Sequence, residues 1–476
     1  MSQTDAVLNR IDADMPAALE RLLELMRIQS ISTDPAFKPE VRKGAEFLRA
    51  ELAEIGFDTR IVESAVGGHP FVVGSHDGPP GAPHVLFYGH YDVQPVDPLE
   101  LWTSDPFAPA VETRPDGSQL IRGRGSSDDK AQLKTFVEAC RAWKAATGGL
   151  PCRVTVFFEG EEESGSPSMP AFLRDHGAEL SAADCALICD TSMWNADTPA
   201  ITLSLRGMAA GQVTIRAAAR DLHSGLYGSA ARNPLQLMVK VLDELRDDTG
   251  RVTLPGFYEG VEETPDQVKA SWETLGFTDE GFLGPVGLSS PAGEQGRSTL
   301  EQTWARPTAE INGIWGGYNG EGFKTVIPAE AHAKVSFRLV GSQDPVRVWE
   351  SFKDHVRARL PADATAEFWD KQGSPALSLP PTNPALQAVA QALTAEWGRP
   401  AALIGGGGSI PIAGDLHRQL GLDVVLAGFA LDDDQIHSPN EKYELKSFHK
   451  GIRSWARALE TLSTALVKTP ERMAAE

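Results

Sequence analysis

Residues 153–166 read RVTVFFEGEEESGS. The run Val154-Thr155-Val156-Phe157-Phe158 is β-branched and aromatic, as a buried strand requires, and it ends abruptly in ionisable residues. Glu159, Glu161, Glu162 and Glu163 place four carboxylates within five residues. Such groups repel one another, and directly after an apolar run they cannot all form a solvated helix face. Gathering them needs positive charge, from arginines or from metal ions. The same grammar occurs twice more. His84-Val85-Leu86-Phe87-Tyr88 runs into Gly89-His90-Tyr91-Asp92, and Ala186-Leu187-Ile188-Cys189 runs into Asp190. In open α/β sheets the carboxyl ends of strands are where ligands bind, so these three ends predict both a fold class and a site.

Outward from these runs, Asp128-Asp129 opens a helical pattern in which Leu133, Phe136, Val137, Cys140 and Trp143 share one face. From Arg206 onward the pattern changes. Val213-Thr214-Ile215 and Val335, Phe337, Leu339 alternate as antiparallel strands covered on one face do. A helix is expected from Asn233-Pro234, with Leu235, Met238 and Leu242 inward. After Leu379-Pro380-Pro381 the α/β character returns, with a helix near 385–397, glycines at 405–408 and an apolar run over 424–430. The expected architecture is α/β: a discontinuous domain with a mixed, largely parallel sheet (1–205 and 379–476), and a smaller α+β domain (206–378) inserted in it.

A chain of 476 residues suits two or three domains. Its 41% hydrophobic and 23% charged content is that of a globular protein. The net charge of -21 argues against nucleic acid as a partner, because phosphates demand clustered Lys and Arg. It equally disfavours an anionic membrane surface. The acidic N-terminus does not read as a signal peptide, and no stretch approaches the roughly 20 apolar residues of a membrane span. Cys140, Cys152, Cys185 and Cys189 form no CxxC pair and read as reduced thiols of a cytoplasmic protein.

Taken singly, the chemical motifs are ambiguous. His90-Tyr91-Asp92 reads equally as a metal ligand with its orienting carboxylate or as a histidine satisfied in a turn. Asp128-Asp129, after Gly123-Arg124-Gly125-Ser126-Ser127, can serve merely to cap a helix. The glycines there are too poorly spaced for a dinucleotide loop, and the chain contains no GxxxxGK[ST]. His437, beside Asp432-Asp433-Asp434, fits a plain surface loop, and Lys334 with Arg338 an ordinary solvated strand face.

Their order is not ambiguous. HYDVQP (90–95), GRGSSDDK (123–130), EGEEESGS (159–166), Asp190 after ALIC, DLHSGLYG (221–228), KTVIP (324–328), GGSIP (407–411) and HSPNE (437–441) follow one another along the chain. Together they resemble the dinuclear zinc family of carnosinases, cytosolic non-specific dipeptidases, aminoacylases and succinyl-diaminopimelate desuccinylases, and most of all its dipeptidase branch. The resemblance spans about residues 20 to 460.

That resemblance implies a catalytic domain carrying an inserted lid and dimerisation domain. It implies two divalent metal ions per subunit, zinc first, with manganese or cobalt also accommodated by such donors. His90 and Asp190 are implied as ligands of one ion and His437 and Glu163 of the other, with Asp128 bridging both. Asp92 is implied to orient His90, Glu162 to act as general base, and Glu161 to stand outside the site. Two divalent ions against three carboxylates leave one positive charge, which a hydroxide bridging the metals cancels. The implied activity is hydrolysis of the peptide bond of a dipeptide or small peptide by that hydroxide. His223 is implied to stabilise the oxyanion, in dimeric members across the subunit boundary, so that a homodimer through the inserted domain is expected. Arg338 is implied to grip a substrate carboxylate, with Thr325, Gly408 and Ser409 as lesser substrate contacts.

Two departures stand out. Ala131 replaces the glycine common after DDK, a change a first helical turn tolerates. Ile404-Gly405-Gly406 stand where the animal dipeptidases have an Arg-Glu pair, so a charged wall of the substrate pocket is expected to be absent, which weakens the case for a strict dipeptide preference. The alternatives are an N-acyl amino acid amidohydrolase, a carboxypeptidase and, remotely, a non-catalytic metal- or peptide-binding relative. The last is disfavoured by retention of Glu162 beside all five ligands.

Overall fold

The strand Arg153–Glu159 lies inside a mixed sheet and is buried along all but its first residue. Its parallel neighbour is His84–His90, in a register that sets His84 against Arg153 and His90 against Glu159. Cys185–Ile188 continues the parallel run beside His84–His90, and Val424–Leu426 follows. These four strands form the parallel centre. On one side Phe71–His76 and then Asp58–Val62 add antiparallel, and on the other Ala200–Leu205 pairs antiparallel through Thr202 and Leu426. The sheet is therefore mixed as expected, but parallel only in the middle. Asp58–Val62 and Phe71–His76 are neighbours joined by a short loop, with no helix to carry the chain back for parallel pairing.

The computed structural model describes residues 2–408 and 410–467. They form two compact units. The first gathers the described residues of Met1–Leu203, Leu379–Ile404 and Asp415–Glu476, and the second those of Ser204–Ser378 and Gly405–Gly414. The described residues of 405–414, expected with the returning α/β segment, group with the second unit instead. No helix among the described residues is long and apolar enough to cross a membrane.

Within the first unit, helix Lys130–Thr147 packs against His84–His90 and against helices Gln3–Met26 and Leu445–Ala465. Phe136 stacks on Phe87 with ring centroids 3.9 Å apart, and Trp455 meets both edge-on. The expected apolar face is buried, but so is the opposite one. Lys134 is fully enclosed and reaches Glu51 at 2.6 Å and Glu138 at 3.0 Å, while Arg21 donates to Glu138 at 2.6 Å. Helix Gln3–Met26, started by a Ser2–Asp5 capping box, supplies the cover that makes this ion network internal.

The second unit is built on a four-stranded antiparallel sheet in the order Thr308–Gly316, Glu330–Leu339, Gly207–Arg216, Thr365–Ser374. Ala331, Ala333, Val335, Phe337 and Leu339 alternate into its core with Val213 and Ile215. Helices Pro234–Asp243 and Pro345–Arg359 cover that face, the first begun by Asn233, whose side chain accepts from Leu235 N at 3.0 Å. This is the α+β unit that the alternation from Arg206 predicts. Residues 254–307 form short helices and loops, among them Asp266–Glu273 and Asp279–Leu283.

Candidate active site

The three strand ends converge in the first unit. His90 closes its strand with a fully buried ring whose Nε2 lies 3.0 Å from Asp128 Oδ1. Its Nδ1 faces Asp92, 3.4 Å from the carboxylate and 3.2 Å from the carbonyl oxygen, so the ring proton has acceptors there and Nε2 is turned to the site. Asp92 has a second duty. Its carboxylate accepts from the backbone of Glu162 at 3.2 Å and of Glu163 at 3.0 Å, tying the turn after Glu159 to the histidine.

Asp128 stands between two histidines. Its other oxygen is 2.9 Å from His437 Nε2, which also lies 3.1 Å from Glu163 Oε2. The Asp128–Asp129 peptide is cis. Donor atoms of His90, Asp128 and Asp190 lie within 4.8 Å of one another, as do those of Asp128, Glu163 and His437, and these are the groups among the described residues able to hold a metal ion. Gln94, which sequence reasoning passed over although HYDVQP contains it, donates to Glu163 Oε2 at 2.8 Å and holds that carboxylate in place.

The four acids of the opening stretch have separate fates. Glu159 points into the protein, accepts from Tyr88 OH at 2.8 Å, and is pushed up to about 8 by burial. Glu161 is buried and accepts from the backbone of His69 at 2.8 Å and Ser168 at 2.6 Å, a purely architectural role. Glu163 faces His437. Glu162 is half-buried, its carboxylate has no hydrogen-bond partner among the described residues, and burial raises it to about 6.

No lysine or arginine among the described residues pairs with Asp128, Glu162, Glu163 or Asp190. The site compensates through protons instead. Burial and Asp128 hold the Asp190 carboxyl far above the carboxylate range, while hydrogen bonds to Asp128 and Glu163 raise His437 to about 10. Burial opposes charge on His90, yet Asp128 and Asp92 drive it well above the ordinary histidine value. Imidazoles charged against carboxylates in a buried pocket are the condition that divalent cations relieve, and two histidines with three carboxylates suit zinc-like ions. The residues therefore fit two metals sharing Asp128.

The remaining expected residues lie in the second unit. His223 is exposed, and its Nδ1 accepts from Gly225 N at 3.0 Å, leaving Nε2 as the N–H donor. His223 pairs in register with Val326, which sets Thr325 beside it; the Thr325 carbonyl accepts from Ser224 N at 3.1 Å. Arg338 is partly buried on the strand face opposite Phe337 and has no ion-pair partner among the described residues. Gly408 is exposed, and Ser409 lies outside the described residues.

The Ile404-Gly405-Gly406 departure has a steric basis. A Cβ on Gly405 would come 2.4 Å from Trp304 Cβ and 2.8 Å from Trp304 Cγ. Trp304 thus fills the space a side chain at 405 would need, and Arg206 laces the glycine tract by donating to Gly407 O at 3.3 Å. Gly405→Ala is expected to destabilise the protein by about 1–3 kcal/mol, as overpacking does. Thermal unfolding measures this, and a wild-type unfolding temperature in Gly405→Ala would show that Trp304 does not fill the space.

Comparisons with known proteins agree with this geometry. A family model for peptidase family M20/M25/M40 matches residues 86–461. The chain is similar to the Cys-Gly metallodipeptidase dug1 of Schizosaccharomyces pombe, 28% identical over 474 residues that cover 97% of this chain and 98% of that protein. It is similar to the Beta-Ala-His dipeptidase of Rattus norvegicus, 27% identical, with 95% of this chain and 91% of that protein covered. The solved structure of the metallo-carboxypeptidase Sso-CP2 from Sulfolobus solfataricus superposes with a TM-score of 0.77 at 26% identity, covering 94% of this chain and 99% of that one.

Proposed function

The chain belongs to peptidase family M20/M25/M40, and from that premise we propose that it is a metal-dependent dipeptidase whose general base is Glu162. The observation that carries the reading is a carboxylate without a partner beside two donor triads that share Asp128. His90 and Asp190 with Asp128 would hold one ion, and His437 and Glu163 with Asp128 the other. When bound, the ions polarise the scissile carbonyl and acidify the attacking water. Glu162 accepts the water proton on its carboxylate and delivers it to the departing amine nitrogen. Asp92 orients both partners of this chemistry, through the ring of His90 and the backbone of Glu162. His223, donating from Nε2, is proposed to steady the oxyanion, and Arg338, with Thr325, Gly408 and Ser409, to take the substrate carboxylate and backbone.

Zinc is the proposed native metal. A homodimer through the second unit is proposed with it, since the edge strand Thr308–Gly316 exposes Ile311, Ile314 and Trp315. Free, buried Cys140, Cys152, Cys185 and Cys189 favour the reducing cytoplasm as its location. A second reading, release of amino acids from N-acyl or longer peptide substrates, is favoured by Trp304 standing where a charged wall at 405 would be. The discriminating experiment is hydrolysis of Cys-Gly, β-Ala-His, N-acetyl amino acids and tripeptides by metal-reconstituted protein. The dipeptidase reading expects free dipeptides to have the highest kcat/KM. Preference for N-blocked substrates would establish the second reading in its place.

A further inference from the structure

The ring of His437 is half-exposed, its side chain 53% accessible, so packing does not hold it at Asp128. Its position comes from a backbone that is itself costly. Gln435, His437 and Asn440 have φ of 57°, 60° and 66°, left-handed conformations that residues with a Cβ seldom adopt. A loop with three such residues needs outside fixing, and the structure shows where the fixing is applied.

Glu441 is completely buried, four residues after His437. One of its carboxylate oxygens accepts from the backbone N–H of Ser127 at 2.8 Å and of Asp128 at 3.1 Å. The other accepts from Gly125 N at 2.9 Å and from Arg124 Nη1 at 2.8 Å. All four donors belong to the loop that carries Asp128, and Gly123 N donates to the Glu441 carbonyl at 3.1 Å. A second fastening lies beside it, where Ser127 Oγ donates to Asp434 Oδ2 at 2.8 Å and Lys442 Nζ to Asp434 Oδ1 at 2.8 Å. With both oxygens occupied by donors, Glu441 is not itself a metal ligand. Only an ionised carboxylate offers acceptors alone on both atoms. A glutamine would turn an NH2 group toward N–H donors.

We infer that Glu441 is a positioning residue that assembles the Asp128–Glu163–His437 metal site by locking the His437 loop to the Asp128 loop. The inference rests on the two-metal reading above. Its consequence is asymmetric. His90 ends one strand of the sheet and Asp190 lies two residues past another, so of the first ion's ligands Asp128 alone touches the clamp, whereas for the second ion the placement of His437 against Asp128 depends on it.

The test is a Co2+ titration of the chelator-stripped full-length protein, followed by the cobalt absorption spectrum and by calorimetry. Wild type is expected to take up two ions in distinguishable steps. Glu441→Gln should bind the ion at His437 about 10–100-fold more weakly, the range typical for loss of a group that orients a ligand, and the ion at His90 with a smaller loss felt through Asp128 alone. Ser127→Ala, which removes only the Asp434 fastening, should weaken the ion at His437 by a smaller factor. Glu441→Asp, which keeps the charge but withdraws the carboxylate from the Asp128 loop by one methylene, should also weaken that ion more than the other, and it decides the matter if Glu441→Gln does not fold. Two ions bound with wild-type affinities by the folded variants, or equal weakening of both ions in a variant with the wild-type unfolding temperature, overturns the inference. Fewer than two ions in wild type overturns the two-metal reading, and this inference with it.

Discussion

Glu162→Gln is expected to lower kcat by about 10²–10⁴-fold, the usual contribution of a positioned general base, while both ions stay bound. The expectation follows from what the carboxylate touches. It has no hydrogen-bond partner among the described residues, it belongs to neither donor triad, and its backbone is held by Asp92 rather than by its own side chain. Glutamine keeps the shape and the backbone contact but has no basic oxygen to accept a proton. KM should change little, because the residue is assigned no part in holding the ground-state substrate. Measuring kcat, KM and metal content on one preparation checks this. Near-wild-type turnover with both ions present would remove Glu162 from the mechanism.

Asp128→Asn is expected to have the second large effect, through the metals instead of the base. One oxygen of Asp128 faces His90 at 3.0 Å and the other faces His437 at 2.9 Å, so each proposed ion depends on it. Asparagine removes the charge and offers one oxygen in place of two. Affinity for both ions should fall by more than the roughly 100-fold upper range seen on losing a group that only orients a ligand, and activity should fall with it. His437→Ala, by contrast, should spare the ion held by His90 and Asp190. Metal content after dialysis against a weak chelator distinguishes the two variants. Retention of both ions by Asp128→Asn would show that this carboxylate is not shared.

Much of this was legible in residues 153–166 and the two runs that resemble them. A mainly apolar run with no Asp, Glu, Lys or Arg on either face describes a strand buried on both sides, and the parallel centre of the sheet is made of such strands. The division of labour among Glu159, Glu161, Glu162 and Glu163 was only partly legible. Whether a carboxylate meets Tyr88, a backbone N–H or a histidine is settled by segments far away in sequence. Lys134 and Glu138 were hidden for a related reason. Helical periodicity assigns them to solvent, and helices far earlier in the chain, Gln3–Met26 with Arg21 and Lys38–Ile55 with Glu51, make their surroundings internal. Gly405 reads as an empty place in a pocket wall, yet the place is filled by Trp304, which no local pattern connects to it. Glu441 is the clearest case. HSPNE displays a histidine and a glutamate together, and nothing in the string tells the ligand from the clamp.

The central claim is that two metal ions and a free carboxylate in the first unit carry out the hydrolysis. Its most direct test is a titration of metal-stripped protein with Zn2+, with metal per chain and Cys-Gly hydrolysis measured at each point. The account predicts no hydrolysis in the stripped protein and activity that reaches its plateau at two ions per chain. Full activity in the stripped protein, or a plateau at a single ion, would contradict it.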